Sequence, residues 1–332
     1  MLSGSAHRDE LEALLGRDAE IVEWSVAPLS MSDLWKSPPA LEPQDLLWTP
    51  HFNVPLRNAC ALAVTLHDLL PLTAPNFAGR GRSLPVRAWL RAIRNRARVV
   101  FCVSDFTRRE ALRLGALDPA KLQVTPLGAD RAWFAAGEST RPAVTGERPA
   151  MIFVGLLKPH KNVARLLRAF ARVRDRIPHR VVLVARHRGV RNIDRAALAL
   201  AAAHADRVEI VQDLPFAELV ARVAAAQFAV QPSLHEGFCL PALEAMAAGV
   251  PVLAGRAGAL PEVCGDAAVY CDPRSEEDIA QAMLQLAGDA ALRARLALAG
   301  RGRAHAFSWD ACAIKTALHL DAALRTLDES ST

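Results

Sequence analysis

Aromatic side chains are scarce in this sequence, at 5% of residues with a single tyrosine. Single-stranded nucleic acid is bound by stacking bases on aromatic platforms set among basic residues, and no such signature is present, so nucleic acid is not an expected partner. Long apolar runs are also missing. None approaches the roughly 20 residues that span a bilayer, and the opening MLSGSAHRDELEALLGRD is too polar for a secretory signal. The expected compartment is therefore the cytoplasm. The six cysteines (Cys60, Cys102, Cys239, Cys264, Cys271 and Cys312) are scattered, with no C-x-x-C pair and no Cys/His cluster at zinc spacing. They read as reduced, mostly buried thiols. No G-x-G-x-x-G follows a strand, which argues against a dinucleotide oxidoreductase.

What is present describes a globular enzyme. Hydrophobic residues make up 52% and charged residues 23% of 332 residues, enough for two cores of about 150 residues each. The formal charge of +5 asks for an anionic partner, either a phosphorylated small molecule or an anionic lipid. Short β-branched runs alternate with Ala/Leu/Arg-rich helical stretches, the pattern of βαβ units and parallel sheets. Strands are predicted at 46–48, 61–66, 99–103 and 122–125 in the first half, with a helix at 84–97, and at 151–154, 180–184, 208–211, 228–231 and 250–253 in the second. Residues 137–149 are rich in Gly, Pro, Ser and Thr without a hydrophobic period, the composition of a linker. The division is therefore a first domain at 1–140, a linker at 141–149, a second domain at 150–306 and a closing segment at 307–332. In that segment Leu318, Leu320, Ala323, Leu324 and Leu327 recur at helical spacing.

The most informative segment follows the strand at 228–231. Pro241 suits the start of a helix, Gly249 a left-handed C-terminal cap and Pro251 the stop, which places Glu236 in the preceding loop and Glu244 on the helix. Such a loop presents the backbone N–H groups of about Phe238 to Ala242 at a helix N-terminus beyond the carboxyl end of a parallel strand, an anion site. A diphosphate held there leaves Glu236 on the sugar side and Glu244, about one and a half turns on, near the ribose. Carboxylates suit both places because they accept bidentate hydrogen bonds from neighbouring hydroxyls.

Glu236-x7-Glu244 within EGFCLPALEAMAAGVPV resembles the signature of the retaining glycosyltransferases of family 4. Further segments match that family in order. Val154-Gly155-Leu-Leu-Lys158-Pro-His-Lys161-Asn162 is similar to its strand and turn opening the second domain, with Asn162 as N-cap, Lys161 as the lysine that neutralises the donor diphosphate and Lys158 beside it. Leu156 stands where many relatives carry an arginine. Val64-Thr-Leu-His67-Asp68-Leu-Leu-Pro71 resembles the His-Asp pair of mannosyltransferase-like members, with His67 facing the donor sugar, and the loop with His51 and Asn53 resembles their acceptor-side segment. Ser104 reads foremost as a helix cap. Gly128-Ala-Asp130 and Leu260-Pro-Glu262 match as markers of the family without catalytic roles. The resemblance covers about residues 46 to 325. The first strand and Gly-rich turn of relatives have no counterpart near Met1, which implies either an upstream start or a reduced first domain.

The resemblance implies an α/β fold of the GT-B type, two facing Rossmann-like domains with the donor in the cleft and the acceptor mainly on the first domain, the last helix crossing back to it. It implies a retaining hexosyl transfer in cell-surface polysaccharide synthesis, with GDP-mannose favoured as donor and a glycan or polyprenyl-diphosphate-linked oligosaccharide as acceptor. Donor contacts would come from Lys158, Gly155, Gly237, Phe238, Cys239, Leu240 and Glu244, with Glu236, Lys161 and His67 at the reacting sugar. No Asp-x-Asp motif is visible, so neither a metal nor another cofactor is expected. An inactive sugar-nucleotide-binding subunit and a sugar-nucleotide epimerase are the rival readings. Seven arginines (Arg80, Arg82, Arg87, Arg91, Arg94, Arg96 and Arg98), interleaved with Leu84, Val86, Trp89, Leu90 and Ile93, suggest in addition a helix lying on an anionic membrane surface.

Overall fold

The computed structural model describes residues 41–42, 44–56, 60–74, 83–115, 117–138, 148–186 and 192–330. They form two parallel sheets, each covered by helices. The first sheet has strands β1 (Leu46–Thr49), β2 (Ala61–Leu66), β3 (Ala97–Cys102) and β4 (Leu122–Val124) in the order β1-β2-β3-β4. Helices α1 (Leu70–Thr73), α2 (Ser83–Arg96) and α3 (Asp105–Arg113) connect them. β2 and β3 are near-continuous apolar runs because helices cover both faces of a parallel sheet. The expected lack of a first strand and glycine turn falls on residues 1–40, outside the described residues.

The chain then forms α4 (Arg131–Glu138) and the second sheet, whose strands are β5 (Ala150–Leu156), β6 (Arg180–Arg186), β7 (Val208–Val211), β8 (Phe228–Gln231), β9 (Val252–Gly255) and β10 (Ala268–Cys271). Between and after them lie α5 (Val163–Val173), α6 (Arg195–Ala203), α7 (Phe216–Ala225), α8 (Leu240–Ala247), α9 (Leu260–Cys264), α10 (Glu276–Gly288), α11 (Ala290–Ala304) and α12 (Trp309–Ser330). The strand order is β10-β9-β8-β5-β6-β7. From β5 the chain winds outward through β6 and β7, then returns to the other side of β5 with β8. That reversal opens a crevice beyond the carboxyl ends of β5 and β8, the place where open α/β sheets hold ligands. Alternate side chains of β5 feed two cores: Met151 and Phe153 pack under α5 and α10, while Ile152 packs on the face of α4, α7 and α8.

Several boundaries differ from the sequence reading for local reasons. The strand expected at 250–253 begins at Val252, because Gly249 (φ 65°) donates to Met246 and Val250 N–H to Ala245, completing the end of α8. β10 was not expected; it is a four-residue edge strand with one β-branched residue. Helix α4 precedes residues 141–149 in sequence, yet it buries Trp133 in the second core, so the chain passes between the sheets around 125–130. It passes back around 305–309, where Ala129 N–H donates to Phe307 (3.4 Å). Helix α12 then lies on the first sheet, with Ala323 against Ala63, Val99 and Phe101. Of the expected stripe Ala323 and Leu327 are buried, whereas Leu318 and Leu324 are exposed.

The apolar residues of α2 are likewise internal. Val86, Trp89, Leu90 and Ile93 belong to the first core, so they are not available to dip into lipid, and only the arginine face of the expected membrane helix remains outside. Arg80, Arg82 and the side chain of Leu84 lie outside the described residues. Among the described residues no helix is long and apolar enough to cross a membrane.

Candidate active site

The loops beyond β5 and β8 bring Lys161 and Glu236 together. Lys161 Nζ donates to both carboxylate oxygens of Glu236, at 2.7 and 2.9 Å, and Ser233 Oγ donates to Oε1 at 2.6 Å. Burial alone pushes the Glu236 carboxyl up, but the adjacent ammonium and the Ser233 hydroxyl outweigh it and hold the pKa below the usual carboxylate value. For Lys161, burial pulls down and Glu236 pulls up more strongly, with a net rise. The two charges therefore persist at neutral pH because they face each other. A carboxylate offers about four acceptor positions, of which three are used, leaving one for a substrate hydroxyl.

The loop geometry that fixes this pair rests on unusual backbone. Asn162 takes the left-handed conformation (φ 64°), which asparagine tolerates. It makes no cap bond to α5, contrary to expectation. Its side-chain amide instead donates to the carbonyls of Pro232 (2.9 Å) and Pro273 (2.6 Å), tying the β5 turn to the loops after β8 and β10. Glu236 is clasped from the other side by Ala259 N–H, which donates to its carbonyl at 2.9 Å. His160 is buried beside the pair; desolvation and the neighbouring Lys161 push its pKa down to about 4, so the ring is neutral.

From Glu236 the chain turns through Gly237, Phe238 and Cys239, the last at φ 78°, into α8. Of the amides expected to hold an anion, Pro241 has no N–H and Ala242 N–H is taken by the Cys239 carbonyl (3.1 Å). Among the described residues, the N–H groups of Gly237, Phe238, Cys239 and Leu240 donate to no acceptor, which makes these four the available donors. The side chains of Phe238 and Cys239 point into the core, so both residues serve the site with backbone alone. Glu244 sits on α8 against Asp130 and Trp133; burial first, then the Asp130 charge, raise its pKa to about 7. Gly155 is the penultimate residue of β5, and Lys158 is half-buried in the turn that follows.

The first domain closes over this loop. Its own candidates cluster at the carboxyl ends of β1 and β2. His51 Nδ1 lies 2.9 Å from Asn53 Oδ1, and the His51 and His67 rings stack at 6.3 Å. His67 Nε2 is 2.9 Å from the Pro50 carbonyl, which can only accept, so Nε2 carries a proton. Burial holds the His51 pKa below the usual histidine value. A Cβ added at Gly237 would overlap the His67 carbonyl oxygen, so only glycine lets the donor loop pass so close to the end of β2. Ser104 accepts from Thr107 N–H (3.0 Å), the expected cap, and also donates to the Gly237 carbonyl (2.5 Å).

Sequence reasoning missed Ser233 and Trp133, and treated Asp130 and Glu262 only as markers. Ser233 had a signal in its spacing, three residues before Glu236 in a tight loop; Asp130 and Trp133 had none, because their approach to Glu244 depends on α4 joining the second core.

Two family profiles cover most of the chain, Glycosyltransferase Family 4 over residues 43–133 and Glycosyl transferases group 1 over residues 138–303. The O-antigen chain mannosyltransferase B of Escherichia coli is 29% identical over 276 residues, 80% of this chain and 71% of that protein. The MMP alpha-(1→4)-mannosyltransferase of Mycolicibacterium hassiacum is 33% identical over 242 residues, 70% of this chain; there the match spans just over half, 57%, of the relative's length. Among solved structures, sucrose-phosphate synthase from Thermosynechococcus elongatus superposes with a TM-score of 0.69 at 21% identity, over 85% of this chain and 74% of that one, a likeness of fold. The chain belongs to the group 1 glycosyltransferases of family 4 and has their GT-B fold of two Rossmann-like domains.

Proposed function

We propose that the protein transfers a hexose, mannose in the first instance, from a nucleoside diphosphate sugar to a glycan or polyprenyl-diphosphate-linked acceptor, with retention, in the synthesis of a surface polysaccharide. The observation that carries this reading is the Lys161–Glu236 pair beside the amides of residues 237–240, which have no acceptor among the described residues, at the switch point and facing His67. The relatives named as mannosyltransferases support mannose, and GDP-mannose is the donor proposed. As the glycosidic bond to the diphosphate breaks, negative charge grows on the leaving oxygens. Lys161 and the amides at the start of α8 are preorganised to meet it. Lys161 then shares its donors between Glu236 and phosphate, while the remaining acceptor position of Glu236 takes a hydroxyl of the sugar. The acceptor hydroxyl attacks from the same face and its proton passes to the departing phosphate oxygen. Closure over the site keeps water from the activated sugar.

The same reading places the chain in the cytoplasm against the inner face of an anionic membrane. Between Asp68 and Asp105 lie seven arginines and no carboxylate, and Arg87, Arg91, Arg94 and Arg98 are exposed. With the apolar face buried, the contact is electrostatic.

The test is a panel of sugar nucleotides assayed for thermal stabilisation and for transfer of labelled sugar. A ligand at 100 times its dissociation constant stabilises by about 2.7 kcal/mol, so GDP-mannose should raise the melting temperature above UDP-sugars and be consumed with acceptor. Stabilisation without turnover would make the chain a binding subunit, and sugar interconversion without acceptor an epimerase.

A further inference from the structure

We infer that Glu262 is a positioning residue that holds the cleft shut, by capping a helix of the first domain from the second. The inference rests on the donor site proposed above, because the segment it holds in place is the Glu236–Gly237 loop. Glu262 stands on α9, where the Arg303 guanidinium anchors it by donating to the carbonyls of Glu262 (2.6 Å) and Val263 (3.1 Å). Arg303 itself lies over the Phe307 ring at 5.0 Å. From this fixed base the carboxylate crosses the domain boundary: Oε1 accepts Asp105 N–H at 2.7 Å and Oε2 accepts Phe106 N–H at 2.9 Å.

Those amides are the first two of α3, and the opening turn of a helix has no internal acceptors for its N–H groups. Ser104, the helix's own cap, reaches only Thr107 N–H. Glu262 thus satisfies two donors that the first domain leaves open, with its negative charge at the positive end of the helix. The contact is local to the donor loop. From the same turn Ser104 and Thr107 donate to the Gly237 carbonyl, at 2.5 and 3.3 Å, and His235, one residue before Glu236, faces Glu110 of α3 at 3.5 Å. When the domains part, carboxylate and amides return to water. The contact therefore stabilises only the closed form and sets its population before substrate binds.

The prediction separates closure from chemistry. In the full chain, Glu262→Ala should raise the ligand-free radius of gyration in solution X-ray scattering. It should raise KM for donor and acceptor about tenfold, the loss of hydrogen bonds to a charged group expressed as a population. kcat at saturation should stay within about twofold, since bound substrates draw the cleft shut. Glu262→Gln, which keeps one acceptor oxygen, should fall between. A second variant removes the donor instead. Asp105→Pro deletes one N–H at the first helical position, where proline is accommodated, and Ser104 before it is already extended (φ −153°, ψ 161°) as proline requires. It should shift scattering and KM in the same direction, while Asp105→Ala, which keeps the N–H, should not. Unchanged ligand-free scattering and unchanged KM in both Glu262→Ala and Asp105→Pro would overturn the inference, as would a fall in melting temperature alone. Should the wild-type chain prove to transfer no sugar, the proposed function fails, while the scattering comparison still decides the role of Glu262.

Discussion

The carboxylate of Glu236 is buried and the ammonium of Lys161 mostly so, and desolvation opposes the charge on each until the other offsets it. Lys161→Ala should therefore do more than remove a cation from the leaving group. With the ammonium gone, burial outweighs the remaining Ser233 hydrogen bond and the Glu236 pKa should move above its usual value, and kcat should fall about a hundredfold or more together with donor affinity. Stability gives an independent readout. In the wild type the depressed Glu236 pKa contributes stability present above its unfolded value of 4.5 and lost as pH falls through the folded value. In Lys161→Ala the sign reverses, and melting temperature should rise as pH falls through the raised pKa. Glu236→Ala should lower kcat while leaving affinity for the free nucleoside diphosphate nearly unchanged, since that ligand lacks the sugar. Glu244 titrates near neutrality, at about 7. If its carboxylate accepts from ribose hydroxyls, donor affinity should strengthen as pH rises through 7, and Glu244→Gln should flatten that profile. The raised value also means that stability from this group is greatest below the unfolded 4.5 and declines as pH rises towards 7. A KM–pH profile of both proteins checks the assignment.

Two elements show how far periodicity carries. Helix α8 was legible in full, with Pro241 in its first turn and Gly249 beyond its end, because these residues act through local backbone geometry. Helix α2 was placed within one residue of its bounds, yet its apolar positions were assigned to lipid when they fill the first core. An apolar stripe fixes a buried face but not the surface that buries it. The consequence for membranes is testable. Without an inserted apolar face, co-sedimentation with anionic vesicles should vanish as salt shortens the Debye length from roughly 30 Å at 0.01 M to 8 Å at 0.15 M. Replacing Arg87, Arg91 and Arg94 with glutamine should remove about 1 kcal/mol of binding each. Binding that persists at high salt would contradict the electrostatic contact.

For the whole molecule, the domains meet backbone to backbone at Gly237 and His67, where a Cβ has no room. Gly237→Ala should force them apart. An error of about 1 Å in a reacting geometry costs about a hundredfold, so kcat/KM should drop by that order while the melting of the second domain, whose own core is untouched, stays in place. Calorimetry beside kinetics distinguishes this from misfolding.

The sequence by itself determined nine of the ten described strands, the helix carrying Glu236-x7-Glu244 and the family, because alternation, capping residues and loop glycines are consequences of local backbone and side-chain chemistry. Only the tertiary structure decided that α4 joins the second core, that Asn162 ties loops together instead of capping, and that Lys161 and Glu236 neutralise each other. It also decided that Glu262 reaches across to α3. Each of these joins residues far apart in the chain, and partners of that kind are chosen by the reversal of strand order between β5 and β8 and by the packing of one domain on the other, neither of which any local period records.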